Sequence, residues 1–265
     1  MKQLELVLMV ILLTTIFENC SKQNNFSSGE WIDLTHEFSS ETVYWPTAEF
    51  FKLEEVYRGY TERGYYYFSN NYSASEHGGT HLDAPIHFAE GKNSVDVIPI
   101  NNLIASAVVV DVSDKTMKNR DYQIGVVDFE DWEAQHGIIL DGLILLLNTG
   151  YDKFWSDLEK YMGTAKRGEA AVSELHFPGL DPEAARWLVE ERNIKAIGLD
   201  TPSIDYGQSV LFESHQILFG RNIPVFENVS NIDKLPSTGF IVIALPMKIK
   251  GGSGAPLRIV AFVQD

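Results

Sequence analysis

The chain has 265 residues, 45% hydrophobic and 22% charged, with 21 Lys and Arg against 37 Asp and Glu. That composition excludes a disordered, collagen-like or multi-span membrane chain, and the length fits one large domain or two small ones. A formal net charge of −16, with no basic run to offset it, excludes a nucleic-acid partner, because phosphate binding needs clustered Lys and Arg. The single cysteine, Cys20, leaves no intramolecular disulfide framework and no Cys-rich zinc finger.

In chain order, residues 1–20 come first as a targeting segment. An apolar run over 6–17, broken only by Thr14 and Thr15, would rise about 18 Å as a helix, short of the roughly 30 Å hydrocarbon core. Its length and position fit a secretory signal and predict export to the periplasm or cell envelope; without a working signal the chain would be cytoplasmic. Cys20 follows directly and resembles the lipidated cysteine of a bacterial lipoprotein signal, although Phe17-Glu18-Asn19 depart from the usual aliphatic and small residues. Membrane contact is expected only through that anchor. A polar linker covers 21–30, and residues 31–265 form one domain without repeats.

Within that domain, β-branched and aromatic enrichment predicts strands at 31–35, 64–69, 107–112, 143–148, 195–199, 239–244 and 259–263. Several are continuous apolar runs, as expected where both faces of a strand are covered. Helices are fewer. One is predicted at 127–135, with an acidic start. A second spans 151–162, where Phe154, Leu158 and Met162 share a helical face. The third is capped by Asp181 with Pro182 at its first position, and Asn193 ends it. Strands outnumber helices and interleave with them, which predicts a single mixed α/β domain built on sheet.

Three of the seven histidines and one carboxylate fall within eleven residues: His77-Gly-Gly-Thr-His81-Leu-Asp83-Ala-Pro-Ile-His87. Even spacings would put all four on one face of an extended strand. Such a strand would hold His77 and Asp83 roughly 20 Å apart, too far for one ion with ligand bonds of about 2.0–2.2 Å. The chain is therefore expected to bulge at Gly78-Gly79. An imidazole pair plus a carboxylate suits Zn²⁺ or Mn²⁺ and leaves positions open for water and substrate. The bland alternative, ordinary surface histidines, gives no packing reason for such a cluster. His136 and His176 are expected to be structural or exposed.

The run matches a His-x-Gly-Thr-His-x-Asp-x-Pro-x-His signature, and the chain resembles the cyclase-like metal hydrolases, the family of bacterial kynurenine formamidase and isatin hydrolase. The likeness continues through Asp33-Leu34-Thr35-His36, Trp45-Pro46, Asn148-Thr149-Gly150-Tyr151, Phe177-Pro178-Gly179-Leu180, the stretch 199–205, Ser214-His215-Gln216 and Phe226-Glu227-Asn228. It implies a central β-barrel-like core with flanking helices, of the swivelling β/β/α type. By the same resemblance, His77, His81 and Asp83 are metal ligands and His87 is the neighbouring acid/base. His215 and Glu227, twelve residues apart as in the two-metal formamidases, complete a second metal site or line the pocket. The stretch from Glu227 to Gly251-Gly-Ser-Gly254 lies closer to the isatin hydrolase side, which favours one Mn²⁺ or Zn²⁺ ion over two. Trp45, Tyr65 and Phe212 are expected from family position to stack on an aryl substrate, with core packing as the alternative for each. The implied partner is a small aryl or cyclic amide, bound by a homodimer or higher homo-oligomer.

A divalent ion lowers the pKa of its water from 15.7 towards about 7, so no serine or cysteine nucleophile is required, and no Gly-x-Ser-x-Gly elbow is present. Three readings stand open. The first is a metal-dependent hydrolase of a non-peptide C–N bond, acting on N-formylkynurenine or opening an isatin-type ring. The second is a cyclase or dehydratase on the same fold. The third is a metal- or ligand-binding surface lipoprotein without turnover, disfavoured by the presence of His87 beside the ligands.

Overall fold

The computed structural model describes residues 28–264; the segment 1–20 with Cys20, and 21–27 of the polar linker, lie outside the described residues. Twelve strands follow in order: β1 (Gly29–Asp33), β2 (Lys52–Tyr60), β3 (Tyr66–Ser73), β4 (His81–Asp83), β5 (Ile104–Asp111), β6 (Gln123–Ile124), β7 (Ile144–Asn148), β8 (Gly179–Leu180), β9 (Ala196–Leu199), β10 (Val225–Glu227), β11 (Phe240–Pro246) and β12 (Gly254–Gln264). Eight of them make one sheet in the order β1-β12-β11-β5-β7-β9-β10-β4, and β4 pairs in addition with β12. Seven strands thus close into a barrel, with β1 added along β12. The expected mixed α/β domain with a barrel core is what forms.

Strands β5, β7, β9 and β10 run parallel, and parallel neighbours need long crossovers, usually helical. Helices α1 (Val126–His136), α2 (Pro182–Glu191) and α3 (Glu213–Gly220) lie in those crossovers. Both faces of the parallel strands are therefore covered. Along β5, Ala105, Ala107 and Val109 fill the barrel interior with Leu146, Phe226 and Ile259, while Val108 and Val110 pack outward on Phe129, Leu188 and Leu218 of the helices. The continuous apolar runs follow from this two-sided burial. Apolar side chains fill the interior, and the polar cluster around Asp83 lies on the outer wall.

Four features differ from the sequence reading. Strand β2 is charged and exposed along nearly its whole length, so it carries no apolar alternation; it pairs only with β3, in a two-stranded ribbon. Strands β4 and β10 are three residues each and carry His81, Asp83 and Glu227 on the face away from the core. The helix expected over 151–162 is two separate turns, Asp152–Phe154 and Leu158–Tyr161. It breaks because Trp155 turns out to stack on His36 (centroids 3.8 Å, planes at 4°), Ser156 takes a positive φ of 71°, and Asp157 caps the next turn. Helix α3 has no side-chain cap at Phe212, which sits in the left-handed region. The other two helices fall where expected, α1 stopped by Gly137 at φ 65° and α2 capped by Asp181. No helix among the described residues is long and apolar enough to cross a membrane.

Candidate metal centre and its cavity

The site grows from strand β4. Leu82 points into the barrel, which sends His81 and Asp83 outward. Opposite His81 in the antiparallel register stands Glu227 of β10, likewise turned away from the core residue Phe226. The chain reaches β4 through the expected bend: Gly79 is left-handed at φ 59°, and a Cβ on Gly78 would stand 2.0 Å from the Tyr44 ring. That bend brings His77 back over the strand, with Nδ1 2.6 Å from Asp83 Oδ1. Beyond the strand, the short turn Pro85–His87 stacks the His87 ring on His77 at 3.8 Å, with Nε2 4.0 Å from Asp83 Oδ2. Helix α3 supplies His215 from the other side, its Nε2 3.3 Å from Asp83 Oδ2 and 3.2 Å from Glu227 Oε1.

Two donor groups share Asp83. His81, Asp83 and Glu227 form a buried floor; His77, Asp83 and His87 form a partly exposed rim; within each, one ligand atom per residue lies within 4.8 Å of the others. His215 belongs with the floor, and with Glu227 it extends that floor instead of standing apart from it. His81 Nδ1 lies 2.9 Å from Gly79 O, and His215 Nδ1 lies 2.6 Å from Asp205 Oδ2. Each Nδ1–H donates there, which leaves the Nε2 lone pair facing the carboxylates. Both Nε2 atoms are buried without a hydrogen-bond partner, an arrangement a coordinated cation satisfies.

The electrostatics agree. Burial opposes charge on His81, but Asp83 and Glu227 outweigh it and raise its pKa to about 9. His215 is raised likewise, because Asp205, Asp83 and Glu227 override its burial. Burial would raise Asp83, yet the surrounding imidazoles hold it well below the usual carboxylate range. Burial and the charge of Asp83 raise Glu227. The floor thus requires positive charge, from protons or from a divalent ion. His87 behaves otherwise: burial, helped by repulsion from His77, His215 and His81, lowers it to about 4 against the pull of Asp83.

Above the cluster is a cavity of about 350 Å³ with Trp45, Phe88 and Phe212 among its lining residues. Phe88 and Phe212 lie 5.3 Å apart, and Trp45 meets Phe212 edge-on at 6.3 Å. Tyr65 is not brought to the site. It follows β2 at the tip of the ribbon, 55% exposed, with its carbonyl accepting from Thr61, so its expected stacking role has no support. His136 bonds to Trp132 O and stacks on that ring, and His176 pairs with Asp121. Asp205 and Asn228 acquire functions the sequence reading missed. Asp205 accepts from the Ser214 and His215 backbone N–H groups, capping α3 from nine residues upstream while orienting His215. Asn228, at φ 52°, donates from Nδ2 to Gly79 O, the same carbonyl that holds His81. Both lie in stretches that the resemblance singles out, 199–205 and Phe226-Glu227-Asn228, without a role of their own.

A closed barrel with two carboxylates and four imidazoles gathered on its outer wall beneath an aromatic cavity is an arrangement fit for a metal-dependent hydrolase, the class to which the chain's relatives point. Residues 32–206 match the Cyclase family model, described as "Putative cyclase". The isatin hydrolase of Roseibium aggregatum is 30% identical over 240 residues, covering 88% of this chain and 86% of that one. A kynurenine formamidase of Bacillus cereus is 28% identical over 234 residues, covering 88% and 97%. The solved structure of isatin hydrolase A from Ralstonia solanacearum superposes with a TM-score of 0.80 at 33% identity, covering 95% and 97%. The chain belongs to the cyclase family.

Proposed function

We propose that this protein hydrolyses a non-peptide C–N bond in a small aryl or cyclic amide, either opening an isatin-type ring or deformylating an aryl formamide. The observation that carries the reading is the placement of His87, stacked on His77 at 3.8 Å with Nε2 4.0 Å from Asp83 Oδ2, lining an aromatic cavity beside two buried imidazoles whose Nε2 atoms have no hydrogen-bond partner. A divalent ion, Mn²⁺ or Zn²⁺, would polarise the substrate carbonyl and acidify water there. His81, Asp83 and Glu227 would hold it, with His77 closing the set across Asp83 and a single ion favoured over two; His215 completes the floor.

The remaining work falls to side chains. Trp45, Phe88 and Phe212 stack on the aryl ring and keep water other than the reactant out. Asp205 and Gly79 O keep the floor imidazoles in the tautomer that exposes Nε2. His87 takes the proton of the attacking water and returns it to the departing nitrogen, a contribution of about 10²- to 10⁴-fold. The balance is one water added across one C–N bond, giving a carboxylate and a free amine. The relatives' names support both substrate kinds, and the structural likeness supports the cyclic one. A cyclase or dehydratase reaction on the same residues is the second reading. Ultraviolet monitoring of isatin and of an aryl formamide, with and without chelator, tests the proposal: turnover lost on chelation and restored by Mn²⁺ or Zn²⁺ is expected, and turnover that survives verified metal removal refutes it.

A further inference from the structure

The floor histidines are oriented by Gly79 and Asp205; His77 on the rim is oriented from a segment that takes no part in lining the cavity. Glu76 Oε2 accepts from the Ser253 hydroxyl (2.7 Å), from the Ser253 backbone N–H (3.0 Å) and from the Gly254 N–H (3.3 Å). Ser253 Oγ in turn lies 2.9 Å from His77 Nε2. A carboxylate has no proton to give and a hydroxyl has only one. With that proton committed to Glu76, Ser253 Oγ accepts from His77 Nε2–H. A neutral imidazole protonated on Nε2 carries its lone pair on Nδ1, and Nδ1 is the atom 2.6 Å from Asp83. His81 and His215 are set the opposite way, with Nδ1 donating and Nε2 free.

The loop is shaped for this contact. A Cβ on Gly252 would stand 2.8 Å from Glu76 Oε1, and one on Gly254 would stand 2.5 Å from His77 Cε1. Glycine on both sides of Ser253 therefore lets the backbone lie directly against the carboxylate and the imidazole. The Gly-Gly-Ser-Gly stretch singled out in the sequence finds its reason here.

We propose that Glu76 and Ser253 are positioning residues that fix the tautomer of His77, so that it offers Nδ1 to a divalent cation while His81 and His215 present Nε2. The inference rests on the metal-dependent reading above. Ser253, His77 and Asp83 also have the order of a nucleophile triad. Ser253, however, does not line the cavity, and its proton is turned away from His77.

Long-range ¹H–¹⁵N spectra of the imidazoles in the full chain read the tautomers directly. With Zn²⁺ bound, His77 is expected to be coordinated through Nδ1 with its proton on Nε2, and His81 in the reverse sense. Ser253→Ala and Glu76→Gln are each expected to lower Zn²⁺ affinity by about 10- to 100-fold in a chelator competition, and to loosen the His77 tautomer; Ser253→Thr, which keeps the hydroxyl, is expected to restore both. Coordination of His77 through Nε2 overturns the proposal, as does wild-type affinity and spectrum in both variants. Intact metal affinity with turnover abolished in Ser253→Ala also overturns it, in favour of a nucleophilic serine. A chain that binds no metal refutes the metal reading instead; the metal-free spectrum then decides the relay, which fails if His77 Nε2 carries no proton.

Discussion

The two sides of Asp83 are built on different terms. On the floor, the side chains of His81, His215 and Glu227 are 3–5% exposed, and each imidazole is anchored through Nδ1 to a group inside the protein. On the rim, His77 and His87 are 24% and 29% exposed and lean on each other. Unmatched charge is costly where water is excluded, so the floor collects opposite charges until they compensate, and a cation would complete it. At the rim, burial and the neighbouring imidazoles outweigh the pull of Asp83 and hold His87 neutral. Residues of one type in one short run thus acquire separate tasks according to the depth at which the strand leaves them.

The largest test of that difference is His81→Ala. It removes a proposed floor ligand, and both bound metal, read by elemental analysis, and turnover are expected to be lost. His87→Ala is the matching cut on the rim: turnover is expected to fall by roughly 10²-fold or more while metal content is unchanged. A metal-free His87 variant would merge rim with floor and break the comparison.

A smaller effect follows from protons in the metal-stripped protein. His81 is raised from 6.5 to about 9, so its contribution to stability is complete below about pH 6.5 and is lost as pH rises through 9. His87 is lowered from 6.5 to about 4; the folded state binds fewer protons, so its contribution is present above 6.5 and is lost as pH falls towards 4. The thermal midpoint is expected to decline on both sides of neutrality, His81→Gln flattening the alkaline limb and His87→Gln the acid one. A variant that leaves its own limb intact reverses the assignment. The smallest effects are in the aromatic shell. Phe212→Ala is expected to raise KM several-fold, in line with about 0.5–1.5 kcal/mol for an aromatic pair, whereas Tyr65→Ala at the ribbon tip should leave kcat/KM within about twofold.

Much of this was legible in the residues. Continuous apolar runs exposed the two-sided strands of the barrel, and the spacing from His77 to His87 required a bend at glycine, which Gly79 makes. What escaped was local structure supported from far away. Strand β4 reads as polar because two of its three residues face the site, and its pairing comes from β10 and β12, more than 140 residues later. Helix α3 lacks its own cap and borrows Asp205. Ribbon β2-β3 hides one strand because neither of its faces is buried against the barrel. Single-sequence patterns report a segment's own burial period, and these three obtain their order from partners that the period does not encode.

The doubly paired strand β4 has a kinetic consequence. Its residues are held by Val225–Glu227 on one side and by Gly254–Pro256 on the other, and β12 also carries β1. A nascent chain emerging from the ribosome therefore lacks the barrel's closing seam, and the second of the two backbone partners of His81 and Asp83, until β12 has been made. Such non-local closure is slow and leaves the apolar strand edges open meanwhile. Assembly of the site thus waits on β12, and removal of that strand would forfeit the site and the fold together.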